Sequence, residues 1–163
     1  MSEHILVIDA GTTSTRAMLF GRDGVLRGSA QAEIAQHFPR PGWVEHDPQE
    51  IWQASLNCAR RVLGNRSPEG IAAIGITNQR ETVVAWDRNT LEPLSRAIVW
   101  QDRRTARDCA ALRESGREED VHRETGLLLD PYFSATKMRW LLENDDAVAS
   151  AARSGRLAFG TVE

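Results

Sequence analysis

The sequence has almost no lysine: nineteen of its 20 cationic side chains are Arg, and Lys137 alone is Lys. Codon composition accounts for that bias without a guanidinium-based site, so it carries no functional reading by itself. Only two cysteines occur in 163 residues. Cys58 and Cys109 are far apart and fall in helical patterns, which excludes a CxxC pair or a zinc cluster and predicts two buried, reduced thiols. No apolar run approaches the ~18 residues of a membrane span. Neither GxxxxGK[ST], GxGxxG nor GxSxG is present, which removes the P-loop, the dinucleotide fingerprint and the commonest serine-hydrolase elbow. The charge balance of 20 cations to 23 anions lacks the basic footprint of a nucleic-acid binder. Nucleic acid and membrane are therefore not expected as partners. The opening residues have no basic n-region or long apolar h-region, which predicts a cytoplasmic location.

What is present is 41% apolar residues, enough for a core that buries roughly two thirds of the unfolded chain's surface. An apolar run at 5–9 and further strand patterns at 15–20 and 25–33 predict a three-stranded meander. Gly21-Arg22-Asp23-Gly24 forms the hairpin between its last two strands. Asp47-Pro48-Gln49-Glu50 has the order of a capping box with Pro at the first helical position. It starts a helix whose apolar stripe is read as Trp52, Leu56, Ala59 and Leu63, with Gly64 closing it. Strands follow at 71–77, 82–86 and 97–100. Helices are predicted at 105–115, 118–125 and 134–143, the last with Ser134 as its cap, and a final strand at 157–162. The expectation is a mixed α/β sheet with flanking helices and no internal boundary.

Three segments can carry chemistry. Asp9-Ala10-Gly11-Thr12-Thr13-Ser14-Thr15-Arg16 places a carboxylate at a strand end, a glycine at the bend, and then hydroxyls and a guanidinium. A polyphosphate needs such close-approach donors, and a divalent cation needs an oxygen ligand, directly or through water. On spacing alone the segment is equally a Thr-rich turn that binds nothing. Asn78-Gln79-Arg80-Glu81-Thr82 interrupts two apolar strands, and an adjacent Arg and Glu are costly to bury. Facing a cleft they would grip vicinal hydroxyls of a neutral polyol; alone they also fit a solvated ion pair. Trp100 and Tyr132 offer an aromatic face and a phenol for such a ligand, or simply core. His37, His46 and His122 have no metal or triad spacing and are read as surface or capping residues.

Together these segments resemble the N-terminal part of the FGGY carbohydrate kinases, and within them the branch that phosphorylates glycerol. The resemblance rests on the segment from Asp9 to Arg16 and on Pro41-Gly42-Trp43-Val44-Glu45-His46-Asp47-Pro48. It rests further on Ile74-Gly75-Ile76-Thr77-Asn78-Gln79-Arg80-Glu81-Thr82, on Val99-Trp100-Gln101 with Arg103-Arg104, and on Asp130-Pro131-Tyr132-Phe133-Ser134, all in the family's order. It implies an actin-like, ribonuclease-H-like α/β fold, and transfer of the ATP γ-phosphoryl group to glycerol. By the same resemblance Arg80, Glu81, Trp100 and Tyr132 contact glycerol. Thr12, Thr13, Ser14 and Arg16 meet the nucleotide phosphates, and Asp9 lies on the Mg²⁺ side, acting through water.

Ala10 departs from the Gln usual in that branch, which leaves another small polyol, or a non-catalytic polyol- or nucleotide-binding module, as alternatives. The resemblance covers residues 1–163 as part of a first domain. The general-base aspartate and the adenosine-holding segment are expected beyond Glu163, so this stretch alone is expected to be inactive. Expected partners are glycerol and ATP/ADP, with a homo-oligomer or the remainder of the chain covering whatever sheet surface is left open.

Overall fold

The computed structural model describes residues 4–163; Met1 to Glu3, where the leader reading begins, lie outside the described residues. The chain forms two compact units: one holds residues up to Gln36, His46–Gln79 and Val162–Glu163, and the other His37–Glu45 and Arg80–Thr161.

In the first unit β1 (His4–Ala10), β2 (Ser14–Gly21) and β3 (Leu26–Glu33) form the expected antiparallel meander. Its second hairpin turns where Asp23-Gly24 predicts. Gly24 has φ 76° and the Asp23 carboxylate accepts the Val25 N–H at 3.1 Å. The short strand β4 (Glu45–His46) leads into α1 (Pro48–Leu63), and β5 (Ile71–Asn78) then pairs parallel to β1, giving the order β3-β2-β1-β5. A helix between parallel neighbours is the connection that parallel pairing requires.

Strand alternation puts Leu6, Ala17, Leu19 and Ala30 on one face of the sheet, where Cys58, Ala59 and Val62 of α1 cover them. The buried stripe of α1 is Ile51, Ser55, Cys58, Ala59 and Val62, rotated from the predicted one: Trp52 is 61% exposed. Trp52 and Leu56 lie at helical spacing too, but the start of the helix is set by the Asp47 cap, whose side chain accepts the Gln49 N–H at 2.9 Å. Glu50 does not complete the capping box; its carboxylate accepts the Ala35 N–H at 3.0 Å instead. Both thiols are buried and free, and burial pushes each above the ordinary thiol range.

The second unit is built on β6 (Val84–Asp87) paired antiparallel with β8 (Leu157–Gly160), and on β7 (Ala97–Ile98), whose Ile98 exchanges backbone hydrogen bonds with Val83. Four helices follow: α2 (Ala106–Glu114), α3 (Glu118–Thr125), α4 (Ser134–Asn144) and α5 (Asp146–Arg153). The sequence reading has no counterpart for α5. Its start is an Asp145 cap accepting two N–H groups at 3.0 Å, hidden in sequence by the acidic run before it. Val83, Ala85, Ile98, Leu141 and Val148 form this unit's core.

A second cluster holds the loop from His37 to Glu45 against α4. The Arg104 guanidinium lies 3.8 Å from the Trp43 ring centroid and 4.6 Å from that of Trp140. It donates to Asp102 and Glu45, each at 2.8 Å, and its side chain is 2% exposed. Asp102 also accepts from Arg104 Nε at 3.0 Å and from the backbone N–H groups of Val44 at 2.7 Å and Arg104 at 2.8 Å. Removing one partner of a buried ion pair strands the other charge. Arg104→Ala is therefore expected to destabilise the protein by about 3–5 kcal/mol, measured as a lowered urea midpoint. A loss under about 1 kcal/mol, the scale of an exposed pair, contradicts the buried geometry.

Candidate active site

The phosphate-type segment lies in the first unit, as the turn between β1 and β2. Gly11 stands where a Cβ would come within 2.9 Å of the Ser14 carbonyl oxygen, so this bend closes only around glycine and leaves its backbone open to close approach. The turn is tied at several points. Thr13 O accepts the Ile34 N–H at 3.0 Å, and Ser14 Oγ accepts from Gln31 at 3.0 Å. Arg16 donates Nε and Nη2 to Gln31 Oε1 at 3.2 and 3.0 Å. Thr13 is exposed, and Thr12, Ser14 and Arg16 are half-buried. Asp9 sits opposite Arg16 across the β1–β2 ladder.

Support comes from residues the sequence reading passed over. Gln79 donates its backbone N–H to Ala10 O at 2.9 Å and its side-chain amide to Gly11 O at 3.2 Å. The same amide meets His46 Nδ1 at 3.1 Å. His46 is fully buried, which corrects its reading as a surface or capping residue: its place two residues before the helix hid a tertiary contact. Ala10 is buried with Ile34, Ile51 and Val162, a core position. A glycine-kept cradle with hydroxyls, a guanidinium and one strand-end carboxylate fits a polyphosphate and its hard cation. Mg²⁺ takes few protein oxygens and keeps several waters. No group of three or more His, Cys, Asp or Glu side chains that would hold a metal alone occurs among the described residues.

The polyol-type residues lie in the second unit. Arg80 is exposed, and Glu81, Trp100 and Tyr132 are half-buried. Trp100 and Tyr132 meet edge to face with centroids 5.9 Å apart, and Tyr132 meets Phe133 at 5.1 Å. Trp100 is fixed by its N–H donating to Thr82 Oγ1 at 3.3 Å, and Tyr132 by its N–H donating to Asp130 Oδ1 at 2.8 Å. Glu81 Oε2 accepts from the Ser134 N–H at 2.8 Å and from Ser134 Oγ at 2.6 Å. Its other oxygen has no hydrogen bond among the described residues. Ser134 is thus the first residue of α4 rather than its cap; a carboxylate from elsewhere serves the helix's amino end, where negative charge is favoured. The structure thus brings Glu81, Trp100 and Tyr132 together in one unit with Arg80 adjoining in sequence, and holds Asp9, Thr12, Thr13, Ser14 and Arg16 in the other.

Residues 4–163 match the N-terminal domain of the FGGY family of carbohydrate kinases. The chain belongs to that family. It is 56% identical over 163 residues to the glycerol kinase of Paraburkholderia phytofirmans, covering 99% of this chain and 33% of that one. It is 55% identical over 161 residues to the glycerol kinase of Rhodopirellula baltica, covering 98% and 30%. The solved glycerol kinase of Plasmodium falciparum with ADP superposes with a TM-score of 0.87 at 34% identity, covering 98% of this chain and 32% of that one. The actin-like α/β expectation holds, and this FGGY chain spans about a third of the length of the curated relatives it matches. No helix among the described residues is long and apolar enough to cross a membrane.

In this family member Gly11→Ala is expected to cost about 1–3 kcal/mol, the range for overpacking, because the Ser14 carbonyl must move. A lowered urea midpoint is the expected result. An unchanged midpoint would contradict the closed bend.

Proposed function

We propose that these 163 residues are the first part of the N-terminal domain of a kinase that transfers the γ-phosphoryl group of ATP to a terminal hydroxyl of glycerol, giving sn-glycerol 3-phosphate. The observation that carries this reading is the Glu81 carboxylate, one oxygen held by Ser134 and the other without a hydrogen bond among the described residues, in the unit that holds the Trp100–Tyr132 pair. A carboxylate so anchored accepts from a hydroxyl without first being ordered, and the neighbouring Arg80 guanidinium donates to the next oxygen. The aromatic faces suit the carbon side of a small polyol. Relatives named glycerol kinase at 55–56% identity support glycerol over another polyol.

In this reading Thr12, Thr13, Ser14 and Arg16 hold the nucleotide phosphates, and Asp9 faces the Mg²⁺ through water. The ion neutralises charge on the transferring phosphates when bound. The reaction is an in-line transfer, so these residues act by binding and orientation. A matched hydroxyl network also rejects analogues that leave Arg80 or Glu81 unpaired. The general-base aspartate and the adenosine-holding segment come from sequence beyond Glu163, so the 163 residues alone bind without turnover. Association with that remainder, or as a homo-oligomer, covers exposed apolar side chains such as Ile74 and Ile76 on β5. Two free thiols suit a reducing cytoplasm.

In the full-length protein Arg80→Ala and Glu81→Ala are each expected to lower kcat/KM for glycerol by about 10-fold to about 100-fold. That loss corresponds to the about 1.5–3 kcal/mol of a hydrogen bond to a charged group. Steady-state kinetics check it; unchanged kinetics remove both from the site. Faster turnover of erythritol or dihydroxyacetone than of glycerol would overturn the choice of substrate.

A further inference from the structure

Lys137 is the bulkiest fully buried side chain among the described residues, with no exposed surface. Burying an ammonium is costly unless its donors are met. Its Nζ donates to Glu81 O at 2.6 Å and to Tyr132 O at 2.5 Å. These are the backbone carbonyls of two residues whose side chains belong to the polyol cluster. Glu81 also has φ 65°, a left-handed conformation that a residue with a long side chain keeps only where its surroundings hold it. Both of its ends are held from the first turn of α4. Ser134 takes the carboxylate, and Lys137, three residues on and so on the same helix face, takes the carbonyl.

The lysine itself is informative. Every other cation in the chain is Arg, so the bias that reaches nineteen positions has stopped at this one. Two carbonyls converging on one point suit a single compact ammonium; a planar guanidinium spreads its donors over a rigid fork.

We propose that Lys137 is a positioning residue for polyol recognition, its ammonium pinning the carbonyls of Glu81 and Tyr132 to one point so that the carboxylate and the phenol are held in fixed relation. This rests on the glycerol reading. Lys137 touches no substrate and acts through the two residues it clamps.

The test is steady-state kinetics of the full-length protein with Lys137→Met, which keeps the stem and removes the donors, and with Lys137→Arg. The glycerol KM is expected to rise about tenfold or more in both, with the ATP KM within about twofold of wild type. A merely structural lysine would move the two together or neither.

Should the variants not fold, the wild type answers by its pH profile. Burial lowers the Lys137 pKa to about 8, while the charges of Glu81, Asp102 and Asp130, and the Cys109 thiol, act in the opposite direction. The ammonium is therefore the main form below about pH 8 and the neutral amine above it, which keeps two N–H donors but loses the charge assistance of both bonds, so the glycerol KM is expected to rise as pH passes from about 7 to about 9.5. Folded variants with an unchanged glycerol KM overturn the clamp, as does a flat wild-type profile where the variants do not fold. Arg80→Ala separates the two readings: if it raises the glycerol KM and the Lys137 variants do not, only the clamp fails; if it does not, the glycerol site fails and the clamp with it.

Discussion

The second unit depends on one buried cation. Arg104 is enclosed by two indole rings and neutralised by Asp102 and Glu45, and these four partners come from three separate stretches of chain. Trp43 lies in the loop before β4 and Glu45 two residues on at the start of β4, Asp102 in the turn just after Trp100, and Trp140 in α4. A guanidinium taken out of water tolerates little displacement of its acceptors, so these stretches are held mutually rigid. The turn that carries Trp100 and the helix that begins at Ser134 are two of them. Trp43, Glu45, Asp102 and Arg104 are therefore the frame on which Trp100 and Ser134 stand.

The first unit reaches a comparable end by backbone geometry. Its turn between β1 and β2 closes around Gly11 because a side chain there would meet the Ser14 carbonyl. Gln79, the residue just past the parallel strand β5, holds the carbonyls of Ala10 and Gly11. The covalent chain then passes from Gln79 directly to Arg80 and Glu81. One short polar interruption thus serves the phosphate-type turn with its first half and the polyol-type cluster with its second, which explains why so polar a segment sits between two apolar strands.

At Glu81 a strained backbone and a held carboxylate coincide. Its left-handed backbone and the half-burial of its carboxylate are both costly in isolation. Each is compensated by a group from the same helical turn, and the result is a carboxylate with one committed and one available oxygen. Such preorganisation places the ordering cost in folding rather than in binding.

Much of this protein is determined by sequence alone. The meander, the Asp-Gly hairpin, the Asp47-capped helix and most of the later elements follow from local period and turn chemistry, which act over a few residues and so leave a local trace. The residue types of the two polar segments are equally visible, although from sequence an adjacent Arg and Glu also fit a solvated ion pair and the Thr-rich segment a turn that binds nothing. Only the tertiary structure decided which face of α1 is buried, that Glu50 serves Ala35 and not its own helix, that His46 is internal, and that Asp102, Arg104 and Lys137 hold the cluster together. Each of those outcomes depends on a partner distant in sequence, and local pattern carries no record of where the chain will bring it.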